Sequence, residues 1–175
     1  MNLINKINLG FHLNSVILFN LLRVRLMTKT IKFIHTTKIN ISLQEQLFTT
    51  VEESFEKKLL SSFPNRNLHS AIYTKDFSCV GLISLIDTFF YLDKLAVHSQ
   101  FRGKGLGTAL LDEITYSYSP IIWRSSDTNP FLEFYKNKAT LKKKIKTWNI
   151  FEVTADKKLP SYIYKTISEI PSDFN

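Results

Sequence analysis

Apolar residues recur in two rhythms along this chain, and the switches between them mark its elements. Ile31 to Ile41 reads as a β-strand. Ser42-Leu-Gln-Glu45 then has the form of a capping box, with Ser42 as N-cap and Glu45 three residues on. Leu43, Leu47, Val51, Phe55 and Leu59 follow at helical spacing up to Pro64, which predicts a helix ended by that proline. His69–Thr74 and Ser78–Ile86 read as strands joined by the turn Lys75-Asp-Phe77. Tyr91–Val97 is a further strand, and Leu106, Leu110, Leu111 and Ile114 make one face of the helix after it. Pro120–Arg124 predicts a short strand, and Thr128-Asn-Pro130 predicts a helix start with Pro130 at the first position. The lysine-dense run Lys136–Lys144 reads as loop or solvated helix, and Thr147–Thr154 as a last strand. Leu159–Asn175 shows no strong pattern. The resulting order, β-α-β-β-β-α-β-α-β, predicts an α/β domain with a mixed sheet and helices on its faces.

Between the Tyr91 strand and its helix lies Arg102-Gly-Lys-Gly-Leu-Gly107. Strand, glycine loop and helix form a phosphate cradle, because glycines permit positive φ and close approach while the free N–H groups of the helix start face the anion. A Walker A loop requires Gly-x4-Gly-Lys-Ser/Thr, and the dinucleotide fingerprint requires Gly-x-Gly-x-x-Gly. Neither is present; the loop reads Arg-x-x-Gly-x-Gly. A glycine-rich turn without a ligand is the alternative.

Composition narrows the class. The 175 residues suffice for one domain with a substantial core, and mean hydropathy near zero fits a soluble globular chain. A single cysteine, Cys79, rules out an internal disulfide and lies in an apolar run suited to a buried structural thiol. The four histidines make no metal-ligand spacing, so no metal is expected. A formal charge of +8 admits nucleic acid, a membrane surface or a polyanionic cofactor. The lysines cluster after Tyr135 without interleaved aromatics, which argues against nucleic acid. Residues 1–27 differ from the rest: no acid occurs before Glu45, and the apolar run Phe11–Leu22 is too short to span a membrane. They read as an organelle presequence, as an extension upstream of a start at Met27, or as a peripheral helix. Residues 28–175 read as one domain.

Arg102–Gly107 resembles the acetyl-CoA pyrophosphate loop of the GNAT acetyltransferases. Further blocks sharpen this: Tyr91-Leu-Asp-Lys94 before the loop, Trp123-Arg-Ser-Ser-Asp-Thr-Asn-Pro130 and Tyr135 after it, with Ser54-Phe-Glu-Lys-Lys-Leu59 and Leu68-His-Ser70 upstream. Together they resemble the acetyltransferase domain of the N-acetylglutamate synthases of vertebrate and fungal type, over roughly residues 45–165. The resemblance implies a GNAT fold with a mostly antiparallel central sheet. It also implies transfer of acetyl from acetyl-CoA to the α-amine of L-glutamate by direct attack, as the entry to arginine biosynthesis. In that scheme Leu95, Ala96, Val97, Arg102, Gly103, Lys104, Gly105, Leu106, Gly107 and Thr108 bind acetyl-CoA. Lys57, Lys94, Arg124 and Asn129 bind the acceptor, and Tyr135 and Asn129 carry the chemistry. A mitochondrial matrix location is implied if the source is eukaryotic, a cytoplasmic one otherwise.

The residues themselves are compatible with those roles. Glutamate presents two carboxylates, so its site needs cations at fixed places, ideally with one planar guanidinium. A tyrosine hydroxyl can protonate a departing thiolate, and Asn129 can orient the amine while capping the Pro130 helix. Ser126 stands where the family carries a second arginine, which leaves open another amino acid or amine as acceptor. A non-catalytic acetyl-CoA-binding partner of an acetylglutamate kinase is the alternative of a different class.

Overall fold

The computed structural model describes residues 31–63, 67–154 and 159–174; the presequence and start-site readings fall outside these residues, as does Pro64. Seven strands form one sheet in the order β1-β2-β3-β4-β5-β7-β6: β1 Phe33–Thr36, β2 Leu68–Thr74, β3 Cys79–Ile86, β4 Phe89–Val97, β5 Ile121–Ser126, β6 Leu141–Ile145 and β7 Trp148–Val153. The helices are α1 Ile41–Phe55, α2 Leu106–Ser117, α3 Leu132–Lys138 and α4 Ser161–Glu169. All strand pairs are antiparallel except β4–β5. The mixed, mostly antiparallel α/β class read from the sequence is therefore the observed one.

Strand alternation sorts the side chains onto two faces. On one face Ile83, Leu92, Ile121, Trp123 and Phe151 pack with Leu106, Leu110, Leu111 and Ile114 of α2 and Tyr135 of α3. On the other, Val80, Leu82 and Ala96 pack on Leu47 and Val51 of α1. Farther along that second face, Tyr91, Ile122 and Ile150 pack on Ile163, Tyr164 and Ile167 of α4. Gly81 lets α2 come close: a Cβ there would lie 2.5 Å from Ile114 Cδ1.

Two features of β4 shape the middle of the sheet. Leu82 pairs with Lys94 and Ile83 with Leu92, so Asp93 is an extra residue, a bulge that bends the strand. The parallel pairing with β5 is limited to Phe90–Ile121 and Tyr91–Ile122. Beyond these pairs the strands part, and the sheet opens between them.

Several elements differ from the pattern-based expectation. Strand β1 stops at Thr36, whose hydroxyl takes the Lys38 N–H at 3.1 Å and turns the chain. The N-cap of α1 is Asn40 rather than Ser42, its Oδ1 accepting from Leu43 N at 2.9 Å. That helix ends at Phe55, not at Pro64, because Glu56 turns left-handed (φ 54°). The Glu52 carboxylate then draws out the next stretch of chain, accepting from Leu59 N at 2.9 Å and Lys58 Nζ at 2.6 Å. Helix α3 starts at Leu132 rather than at Pro130. The lysine run is not loop or helix beyond Lys138: Leu141–Ile145 is the edge strand β6, whose charged residues suit an edge. The patternless tail contains α4.

Candidate active site

The glycine loop sits where β4 delivers the chain to α2. Gly103 and Gly105 take positive φ, 73° and 82°, a region costly for residues with a Cβ. Nothing lies within 4 Å of a Cβ placed on either, so their backbone borders open space. Gly105 is the N-cap of α2, and the N–H groups of Leu106, Gly107 and Thr108 are those a helix start leaves without an intrahelical partner. Gly107 is tight instead: a Cβ there would stand 3.4 Å from Val97 Cγ2, which seats the helix start against the end of β4. Arg102 is spent on the scaffold, its Nε donating to Val97 O at 3.1 Å and its Nη2 to Ser54 O. Lys104 is exposed, with Nζ 5.5 Å from the Phe101 ring centre. The loop thus has an anion cradle with an exposed lysine and an arginine that stiffens it.

Leu95, Ala96 and Val97 lie on the part of β4 that has left β5. Successive N–H groups of a strand point to alternate sides. The parted stretch can therefore present donors to a carbonyl placed in the opening, as an oxyanion site requires.

Tyr135 lies on the α2/α3 face. Its ring centre is 5.9 Å from those of Trp123 and Phe151 and 5.4 Å from that of Phe134. Burial pushes its hydroxyl from 10.0 up to about 12, so the proton stays on throughout the neutral range. No hydrogen bond holds that hydroxyl among the described residues. The Trp123 indole N–H is likewise buried without a partner among them. Asn129 lies in the turn before α3: its Oδ1 accepts from Phe131 N at 2.8 Å, a cap ahead of the helix rather than at its first residue. Ser126 bonds Thr128 across the same turn at 3.1 Å.

The cations expected to bind the acceptor fall on the opposite face. Lys94 shares the face of Ala96 and points to the α1 side, with Nζ 4.5 Å from the Phe63 ring centre. Its ammonium is buried at 4% exposure, and three oxygens hold it: Asp173 Oδ2 at 2.5 Å, Asp93 O at 3.1 Å and Asp93 Oδ1 at 3.3 Å. Arg124 donates to the carbonyls of Ile167 at 2.9 Å, Ile170 at 2.5 Å and Pro171 at 2.7 Å, and stacks 4.0 Å from the Trp148 ring centre. It caps the C-terminal end of α4, where a cation suits the exposed carbonyls. Lys57 is not on a helix as expected but in the exposed turn beyond α1. Sequence reasoning missed Asp173 altogether. A lone aspartate in a patternless tail carries no local signal; only the fold brings it to Lys94.

Cys79 is buried in β3, and burial raises its thiol to about 12, so it is no nucleophile.

Comparison with known proteins agrees with this architecture. The chain is 32% identical over 98 residues to the mitochondrial N-acetylglutamate synthase of Danio rerio, covering 52% of this chain and 18% of that protein. It is 31% identical over 99 residues to the human protein of that name, 53% of this chain and 18% of the relative. A protein of Xanthomonas campestris named acetylglutamate kinase is 32% identical over 113 residues, 63% of this chain and 26% of that one. This chain thus matches only about a fifth to a quarter of the length of these relatives. Among solved structures, the ribosomal-protein-S18-alanine N-acetyltransferase of Escherichia coli superposes with a TM-score of 0.56 at 10% identity, covering 73% of this chain and 97% of that one. The PaiA N-acetyltransferase of Thermoplasma acidophilum, solved with coenzyme A, gives 0.52 at 12% identity, covering 71% and 100%. Residues 28–168 match the model of the N-acetyltransferase domain of N-acetylglutamate synthase, and the chain belongs to that family of GNAT acetyltransferases.

Proposed function

We propose that this chain transfers acetyl from acetyl-CoA to the α-amine of L-glutamate. The observation that carries the acyl-transfer part is the opening between β4 and β5. Beside it stand the α2 glycine cradle and Tyr135 on one face, and Lys94 on the other. An extended thioester held at the cradle enters the opening from one side, and the amine reaches it from the other. Binding of coenzyme A by the Thermoplasma structure of like fold supports the choice of donor. Family membership supports glutamate as acceptor.

The chain's own groups divide the work. The N–H groups of Leu106, Gly107 and Thr108 and the Lys104 ammonium hold the pyrophosphate, with Gly103 and Gly105 giving it room. Donors on Leu95–Val97 polarise the acetyl carbonyl. Lys57 and Lys94 attract the acceptor's carboxylates, and Asn129 orients its amine through the Oδ1 lone pair that its own cap leaves over. The amine attacks the carbonyl carbon, the C–S bond breaks, and Tyr135 gives the sulfur its proton. The α-ammonium loses one proton to solvent before the attack, and the nitrogen's surplus proton afterwards returns to the Tyr135 oxygen by way of solvent, restoring the hydroxyl.

A second reading has its own observation. Asp173 already neutralises Lys94, Arg124 is occupied by carbonyls, and Ser126 has no charge. An acceptor with a single carboxylate fits that arrangement without rearrangement. A link to an acetylglutamate kinase is a proposal resting on the Xanthomonas relative, and a mitochondrial location on the names of the vertebrate ones. Thiol release from acetyl-CoA, measured against glutamate, glutamine, aspartate, alanine and ornithine, tests the assignment. Glutamate should give the highest kcat/KM. A higher value with alanine or glutamine establishes the second reading, and no release with any acceptor contradicts acetyl transfer.

A further inference from the structure

After α4 the chain stays tied to the sheet, although Pro171 and Ser172 are exposed. Ile170 and Pro171 are clamped by Arg124 of β5, and Asp173 then meets Lys94 of β4. Asp173 O accepts from Leu60 N at 2.9 Å, Phe174 bridges to Leu59, and its ring lies 4.9 Å from that of Phe55 at the end of α1. The segment therefore runs from the α4 side to the α1 side on one face of the sheet. Its anchors are on β5 and then β4, the two strands that part, so it straps the opening on the face where Lys94 and Lys57 lie.

The chemistry of the strap at Lys94 is that of an amino-acid side chain ending in a carboxylate. The Asp173 carboxylate is only 10% exposed, the Lys94 side chain 4%, and the rings of Phe63 and Phe174 flank the ammonium. An ion pair so enclosed is little screened by salt, and its lysine, which also meets Asp93 Oδ1 at 3.3 Å, has no room for a third ionic partner while Asp173 stays. We propose that Asp173 is a specificity-determining residue. It fills from within the chain the carboxylate subsite at Lys94, so that an acceptor's second carboxylate gains this cation only by displacing it. This inference rests on the reading of Lys94 as an acceptor cation for glutamate.

The consequence is a competition that differs between acceptors. Glutamate and glutamine have the same length and the same α-carboxylate; only glutamate brings a second carboxylate to contest Lys94. In the parent protein glutamate should therefore lead glutamine, but by a small margin. Replacing Asp173→Asn keeps the size of the side chain and removes its charge, which leaves Asp93 on Lys94 and opens the place of the second carboxylate to the substrate.

The test measures KM for glutamate and glutamine by thiol release in the full chain, and binding of both by calorimetry with coenzyme A present. Asp173→Asn should lower the glutamate KM and dissociation constant about tenfold, the order expected for one gained ionic hydrogen bond. Those for glutamine should stay within about twofold. Adding Lys94→Met to Asp173→Asn should remove the gain. Phe174→Ala, which loosens the strap and removes the ring centred 5.6 Å from the Lys94 ammonium but keeps both charged groups, should shift glutamate in the same direction and serves if Asp173→Asn fails to fold. A folded Asp173→Asn or Phe174→Ala protein with an unchanged or weaker preference for glutamate overturns the proposal. If no variant releases thiol, the acetyl-transfer reading falls, and the calorimetric ratio of glutamate to glutamine alone decides the role of Asp173.

Discussion

Tyr135 keeps its proton because three aromatic rings and the sheet exclude water from it. That environment comes from its place on α3 and was legible in the sequence only as one tyrosine within a family block. A hydroxyl at about 12 is a donor at every pH the protein meets. If it protonates the thiolate, Tyr135→Phe keeps the ring and its packing and removes the donor. Then kcat should fall about 10²–10⁴-fold while acetyl-CoA affinity barely changes. The rate profile of the parent should show no basic limb from this group below about pH 10. A Tyr135→Phe protein with parental kcat would make the hydroxyl structural. Cys79 gives a second test at this scale. Both groups have folded values above their unfolded ones, Cys79 rising from 9.0 and Tyr135 from 10.0, each to about 12. Their contribution to stability is thus complete below about pH 9 and is lost as pH climbs toward 12. Thermal midpoints taken from about pH 8 to 11 should fall from about pH 9 upward, and Cys79→Ala should flatten the first part of that fall.

Among the elements, those with a strong internal rhythm were legible: β2, β3, β4, β5, β7, α1 and α2 all exist, most within a few residues of the expected bounds. What failed was decided by side chains acting across gaps. Asn40 out-competed Ser42 as cap because it reaches the third N–H of the helix, and Glu52 holds the chain beyond α1 in its non-helical course by reaching forward to Leu59. Strand β6 was hidden by its lysines, yet the Lys143 ammonium lies 4.2 Å above the Tyr164 ring, a cation–π contact that ties the edge strand to α4. Helix α4 did carry a signal, Ile163, Tyr164 and Ile167 on one face, too short to stand out. Two predictions belong here. Gly105→Val must hold a β-branched side chain at φ 82° and projects it into the space before the α2 N-terminus. It should bind acetyl-CoA much more weakly by calorimetry while its circular dichroism stays parental; full binding would take the loop out of the site. Arg124→Lys keeps a charge but loses the fork that holds three carbonyls at the end of α4. Its stability to urea should drop by about 1–3 kcal/mol, the range for charged hydrogen bonds, and an unchanged midpoint would deny Arg124 its capping role.

At the scale of the whole molecule, the sheet keeps the two halves of the proposed reaction apart and lets them meet at one place. The cofactor cradle and Tyr135 lie on the α2/α3 face, Lys94 and the strap on the α1/α4 face, and the parting of β4 from β5 joins them. Plain alternation would put Lys94 on the face of Leu92, toward α2; the bulge at Asp93 moves it to the other face, so this separation was not legible in the sequence. Nor was the strap, because it depends on Lys94 and Asp173, which stand 79 positions apart in the chain. The family match starts at Thr28 and ends at Ser168, before the strap residues Ile170–Phe174. The central claim is direct passage of acetyl from thioester to an amino-acid nitrogen across this opening. The most direct measurement is ¹³C NMR of the full chain incubated with acetyl-CoA labelled at the acetyl carbonyl and with L-glutamate. The thioester signal should be replaced by a single amide carbonyl on the α-nitrogen of glutamate, with one thiol released per amide and no label on the protein. Label retained by the protein as an acetyl-enzyme, or a thioester signal that persists with every amino acid supplied, would contradict direct passage.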